Sequence, residues 1–206
     1  VPGIAKLMAR LRRSSGEDGC SLEQVDDATY DVVTCCYGFM FCPEPEKAFA
    51  EVERVLKPGG TLIACVWVDL AVMRLMREVM TTCLNGEAPP PPPINPMSMA
   101  KPGLAEGLIA DAGMTLERTT ESEYPFDMGT VDVETGKADE LAFKLTMLPI
   151  TTSLNELVDS GENPAAWEIA RSVLDEALVK GDVASIDDDG SIITAPNRFK
   201  MLVATK

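Results

Sequence analysis

Histidine is absent from this 206-residue chain. That absence excludes a Ser-His-Asp triad, a histidine general base and any zinc site built on imidazole. Cations are scarce beside anions. Eighteen Lys and Arg stand against 33 Asp and Glu, for a formal charge of -15. Nucleic-acid binders need clustered cations to displace counterions, so a nucleic-acid partner is not expected. No apolar run approaches the roughly 18 residues of a membrane span. The first residues, Val1-Pro2-Gly3-Ile4, lack both a signal-peptide layout and a starting Met. That pattern suggests a start inside a longer reading frame, or a processed end. Six cysteines occur, at 20, 35, 36, 42, 65 and 83, and none forms a Cys-x-x-Cys pair. Cys35, Cys36 and Cys65 lie in apolar runs, where a free thiol packs as a small hydrophobe. Reduced thiols are expected, and with them an intracellular setting, cytoplasmic or organellar.

What is present is the composition of a folded domain, 46 % hydrophobic and 25 % charged. The length suits one domain, or one plus a small appendage. Residues 4 to 13 show helical spacing, with Ile4, Leu7, Met8 and Leu11 on one face. Tyr30 to Cys36 is a continuous β-branched and apolar run, which predicts a strand buried on both faces. Pro45 then opens a helix whose stripe is Ala48, Phe49, Val52, Val55 and Leu56. Lys57-Pro58-Gly59-Gly60 ends it with a cation, a breaker and a left-handed turn. Thr61 to Val68 reads as a second apolar strand. Strand, helix and strand over this distance predict a βαβ unit with a parallel pair.

Further on, Asp69 is placed to cap a helix with Leu70, Met73, Met76, Val79 and Met80 on its buried stripe. Pro89 to Pro93 predicts an extended surface linker. Leu104 to Ala112 reads as a helix closed by Gly113, and Met114 to Thr120 as a strand. A helix is expected near Glu140 to Met147, and another opens at Asn163-Pro164 and ends at Gly181. Asp187-Asp188-Asp189-Gly190 is a solvated turn; an EF-hand would need a Glu at the twelfth position of its loop. Ile192 to Thr194 and Phe199 to Ala204 are expected to pair antiparallel around Ala195-Pro196-Asn197-Arg198.

Four segments together resemble the middle of a class I S-adenosylmethionine-dependent methyltransferase. They are Tyr30-Asp31-Val32-Val33-Thr34, Tyr37-Gly38-Phe39, Glu44-Pro45-Glu46-Lys47-Ala48 and Arg54-Val55-Leu56-Lys57-Pro58-Gly59-Gly60. Within that superfamily they are similar to the small-molecule branch with the ubiquinone and menaquinone methyltransferases. The resemblance implies an α/β fold with a partial Rossmann-like sheet, family strands 4-5-7-6, an antiparallel last strand and flanking helices. Residues 1–120 and 190–206 would form this core. Residues 121–189 would form a helical, substrate-covering insertion. The family's glycine-rich loop and the acid after its second strand have no counterpart here, so the chain corresponds to the later part of the domain. The strand 30–36 would then be an edge able to pair with another chain or with an N-terminal segment.

The resemblance also implies a cofactor, S-adenosylmethionine, and a small-molecule acceptor, apolar or aromatic. Asp18 would hold the adenine amino group, and Gly19 or Cys20 would offer a backbone N–H to the ring. The bland reading of Asp18 is a solvated turn residue. Cys36 and Tyr37 would face the methionine end of the cofactor, beyond the carboxyl end of their strand. Alternatively Cys36 is core and Tyr37 packs under the next helix. Phe39, Met40, Phe41, Trp67 and Met97 could line the acceptor pocket, although each taken singly also suits a core. No catalytic residue and no metal ligand is assigned. The competing functional reading is a methyltransferase-like chain without cofactor binding, serving as a binding or structural subunit.

Overall fold

The computed structural model describes residues 22, 25–89, 95–132 and 134–206. The expected helix over 4–13, the candidates Asp18, Gly19 and Cys20, and most of the proline run lie outside these residues. The chain divides into two units. The first takes Val1–Asp69, Pro92–Ser122 and Arg198–Lys206, and the second takes Leu70–Pro91 and Glu123–Asn197.

In the first unit, strand β1 (Tyr30–Cys36) leads through a 3₁₀ turn (Phe39–Phe41) to helix α1 (Pro45–Val55) and strand β2 (Leu56–Asp69). Pro45 sits in the first turn of α1, Glu46 lies beside the positive helix end and Arg54 beside the negative one. Ala48, Phe49, Val52 and Val55 are its buried stripe, as the spacing predicts. The chain leaves the helix one residue earlier than expected. Leu56 is already extended, and Lys57 to Gly60 are part of the strand. Gly59 supplies the left-handed turn at φ 76°. Gly60 allows a close backbone approach: a Cβ there would stand 2.8 Å from the Lys57 carbonyl oxygen. Upstream, the Arg54 guanidinium gathers Glu51, Asp27 and the carbonyls of Leu22 and Val25. That hydrogen bonding holds the Glu51 carboxyl below its usual range and the guanidinium above its own.

Helix α2 (Ala71–Cys83) belongs to the second unit, whereas α3 (Leu104–Asp111) and β3 (Thr115–Tyr124, of which Thr115 to Ser122 fall in the first unit) follow the proline run. The second unit continues with β4 (Asp127–Thr130), α4 (Glu140–Met147), a 3₁₀ turn, α5 (Thr151–Asp159), α6 (Ala166–Lys180), β5 (Ala184–Ile186) and β6 (Ser191–Thr194). Strand β7 (Asn197–Thr205) then returns to the first sheet. That sheet has the order β1-β2-β7-β3. β1 and β2 are parallel, and β2 and β7 are antiparallel. In chain order this is the expected 4-5-7-6 arrangement, with the last strand antiparallel.

Three expectations need correction. The strand 30–36 is not buried on both faces: Val33 is buried, but Val32, Thr34 and Cys36 are exposed. The reason is position, since among the described residues β1 is at the edge of the sheet and pairs with β2. Asp69 does not cap α2. It stays in β2, Leu70 takes the cap position, and the buried side chain of Asn197 accepts from the Ala71 N–H instead. Met73 is only half-buried, and Leu75 and Cys83 complete the stripe. Finally, β6 and β7 do not pair. β6 lies between β4 and β5 in a separate three-stranded sheet, order β4-β6-β5. Asn197 makes the corner: its amide donates to the Tyr124 carbonyl and to Thr194 Oγ1, so the chain turns out of β6 rather than folding back on it.

The thiol expectation holds in part. Cys35, Cys36, Cys65 and Cys83 are free. Cys42 is disulfide-bonded. It follows the 3₁₀ turn, outside the apolar runs on which the expectation rested. Among the described residues no helix is long and apolar enough to cross a membrane.

Candidate functional site

Because β1 and β2 are parallel, their carboxyl ends lie at one edge of the sheet, where open α/β sheets present ligands. Tyr37 follows β1 with φ 54°. A non-glycine residue in that region carries a strain of about 1 kcal/mol and persists where its surroundings hold it. Here the Tyr37 N–H donates to the Cys65 carbonyl at 3.0 Å. The Tyr37 ring stacks on Trp67 with centroids 4.1 Å apart and planes 13° from parallel. Phe199 stands edge-on to both, at 6.0 Å from Tyr37 and 6.1 Å from Trp67. Antiparallel register places Phe199 opposite Trp67. The three rings make an aromatic wall at the carboxyl end of the parallel pair. Burial pushes the Tyr37 phenol up, and the neighbouring Cys65 and Cys36 thiols add to the rise.

The other candidates separate. Phe39 is buried and stacks on Phe49 of α1 at 4.0 Å, and Met40 is buried beside it. Both are core. Phe41 is 49 % exposed. Met97 is half-buried in the turn after the proline run, and the next residue, Ser98, donates its hydroxyl to the Met40 carbonyl. Cys36 is exposed at the end of β1. Cys35 faces the opposite way, toward the 3₁₀ turn. Burial raises its thiol, and the Gly38 and Phe39 N–H groups offset part of that rise. Phe199 is not singled out by the sequence, because strand order alone does not give the register. Alternation with Lys200 and Met201 could not reveal that Trp67 lies across from it.

The second unit holds a different concavity, a cavity of about 370 Å³ lined by Glu140, Phe143, Lys144, Trp167, Glu168 and Arg171. The Arg171 guanidinium sits 4.0 Å over the Phe143 ring and pairs with Glu140. Trp167 donates to Asn155 Oδ1 at 3.0 Å. Glu140 pairs with both Lys144 and Arg171 along the cavity lining. Among the described residues no three of His, Cys, Asp and Glu come together to hold a metal ion.

Residues 5–64 match the methyltransferase domain family. A demethylmenaquinone methyltransferase of Clavibacter sepedonicus is 36 % identical over 61 residues, covering 26 % of this chain and 25 % of that protein. A thiol S-methyltransferase of Rattus norvegicus is 38 % identical over 64 residues, covering 29 % of this chain and 26 % of its own length. The matched part thus spans about a quarter of these curated relatives. Among solved structures, the YcgJ protein of Bacillus subtilis superposes with a TM-score of 0.47 at 15 % identity, over 91 % of this chain and 68 % of that one. The matched residues contain β1 and α1 and enter β2; of the aromatic wall they hold Tyr37, while Trp67 and Phe199 lie beyond them. Over that segment the chain is similar to methyltransferase domains.

Proposed function

We propose that the protein transfers a methyl group from S-adenosylmethionine to a small apolar or aromatic acceptor. The observation that carries this reading is the aromatic wall of Tyr37, Trp67 and Phe199 beyond the carboxyl ends of β1 and β2. The cofactor, when bound, supplies an electrophilic methyl on a positively charged sulfur. An aromatic face attracts such a cation by roughly 0.5–2 kcal/mol and more firmly once water is excluded. The same wall offers a flat acceptor a stacking surface, with Trp67 and Phe199 setting its width. Cys36 and Tyr37 would meet the methionine end. Asp18, Gly19 and Cys20 remain the candidates for the adenine end. Methyl transfer asks little more of a protein than alignment of sulfur, carbon and nucleophile in a dry site. That demand is compatible with a chain that has no histidine.

Residues 1–120 with 190–206 would supply the catalytic core, and 121–189 the helical insertion. A nucleic-acid acceptor is not part of the proposal, given the formal charge of -15. The exposed edge of β1 is proposed as a pairing edge for another strand. Titration calorimetry with S-adenosylhomocysteine tests the reading. Binding that Trp67→Ala weakens supports it. No binding by the chain overturns it in favour of a binding or structural subunit.

A further inference from the structure

The two faces of the first sheet differ in what they carry. One face presents Val33, Leu62, Ala64, Val66, Leu202 and Ala204, all buried. On the other face the register brings Cys36 beside Cys65, and Cys65 beside Met201. Cys36 is exposed, and Cys65 and Met201 are half-buried. Side chains of register partners project to the same side, so three sulfur-bearing residues stand in one row across β1, β2 and β7. Both cysteines are free. Burial pushes the Cys65 thiol up, and Cys36 adds to that through its nearby thiol and a hydrogen bond.

Neighbouring strands are about 4.8 Å apart, so two thiols in register are within reach of one ion, and a flexible methionine closes the last spacing. The donor set is two thiols and one thioether, with no grouping of carboxylates to add to it among the described residues. Hard ions such as Mg²⁺ and Ca²⁺ need oxygen ligands, whereas thiolate with thioether selects Cu(I). We propose that Cys36, Cys65 and Met201 form a binding site for a soft monovalent metal ion of the Cu(I) type. On binding, two S–H bonds break and two Cu–S bonds form, with the Met201 sulfur donating a lone pair. Two protons pass to solvent and copper keeps its oxidation state. The site does not depend on methyl transfer, since it is defined by metal uptake alone.

The test is anaerobic competition for Cu(I) between the full chain and a chromophoric chelator, read by the chelator's absorbance. The wild-type protein should withdraw one equivalent. Cys36→Ser and Cys65→Ser should each lose that equivalent, while Cys35→Ser and Cys83→Ser should keep it. Met201→Leu, which preserves volume, should weaken uptake by about tenfold or more. Far-UV circular dichroism checks that each variant is folded, and the exposed Cys36 is the safest position for it. No withdrawal by the wild type, or uptake retained in Cys36→Ser and Cys65→Ser, overturns the site. Unchanged affinity in Met201→Leu overturns the three-sulfur assignment.

Discussion

The two units solve the same burial problem with different raw material. The first covers one face of a sheet and leaves the other half open, with thiols and aromatic rings on it. The second encloses a core of α2, α4, α5 and α6 over a small sheet, with Leu75, Met147, Leu154, Leu174 and Ile192 almost fully buried. Most of its buried polar groups find partners within it, Asp175 Oδ1 being an exception. Thr146 donates to the Ala142 carbonyl, and Asn197 uses its amide in three directions. Asp139 caps α4 by accepting from the Ala142 N–H at 2.7 Å, and its carboxyl is held below the usual range chiefly by that bond. The first unit has an open face that can present a ligand, and the second is chiefly an enclosed apolar core.

The sharpest way to break this contrast is to empty each core in turn. Phe49→Ala and Leu154→Ala both remove fully buried side chains, and each should cost about 3–5 kcal/mol. Amide hydrogen exchange should localise the first loss to β1, α1 and β2 and the second to α4, α5 and α6. Equal exchange through both units for either variant would refute the division. A smaller effect is expected at two close approaches. Gly60→Ala meets the Lys57 and Tyr30 carbonyls, and Gly129→Ala meets Ala142 Cβ at 2.9 Å from a backbone at φ 109°. Each should cost roughly 1–3 kcal/mol in urea unfolding. Gly60→Ala should be the costlier, because the obstructing atoms are backbone.

The smallest effect concerns acid. Glu106 pairs with Lys200 at 2.7 Å. Burial pushes its carboxyl up, but the Lys200 hydrogen bond wins and the net shift is downward. A carboxyl depressed on folding adds stability above its unfolded value, about 4.3, and loses it as pH falls through the folded value. Stability of the wild type should therefore drop below about pH 4.3. Lys200→Met should flatten that part of the profile. It also leaves Glu106 Oε2, already without a hydrogen-bond partner, beside an oxygen that has lost its own. The expected cost at neutral pH is about 1–3 kcal/mol.

The first unit was largely readable from sequence because a βαβ unit is contiguous. Pro45, the stripe from Ala48 to Val55 and Gly59 are local signals, and the structure keeps all of them. In the second unit the helix over Glu140–Met147 was also legible from its spacing. The partners of β6 were not. Ile192 and Leu202 have the same alternating pattern, and nothing local says that one faces α2 and α6 while the other lies over β2. The decisive residue is Asn197, a polar side chain that reads as a turn and is in fact completely buried. The sulfur row was invisible for a related reason. Cys36, Cys65 and Met201 are far apart in sequence and meet only through register.

The chain contains two tryptophans, and the fold deals one to each unit. Trp67 stacks on Tyr37 two residues beyond Cys65, and Trp167 lies against Phe143 beside Arg171. Their fluorescence is thus a pair of separate gauges. With Trp167→Phe the remaining emission comes from the aromatic wall alone, and a heavy ion on the neighbouring sulfurs or a ligand on the rings would quench it. With Trp67→Phe the remaining light follows the helical unit and should ignore both. The protein carries its own optical readout for the events proposed at its open face.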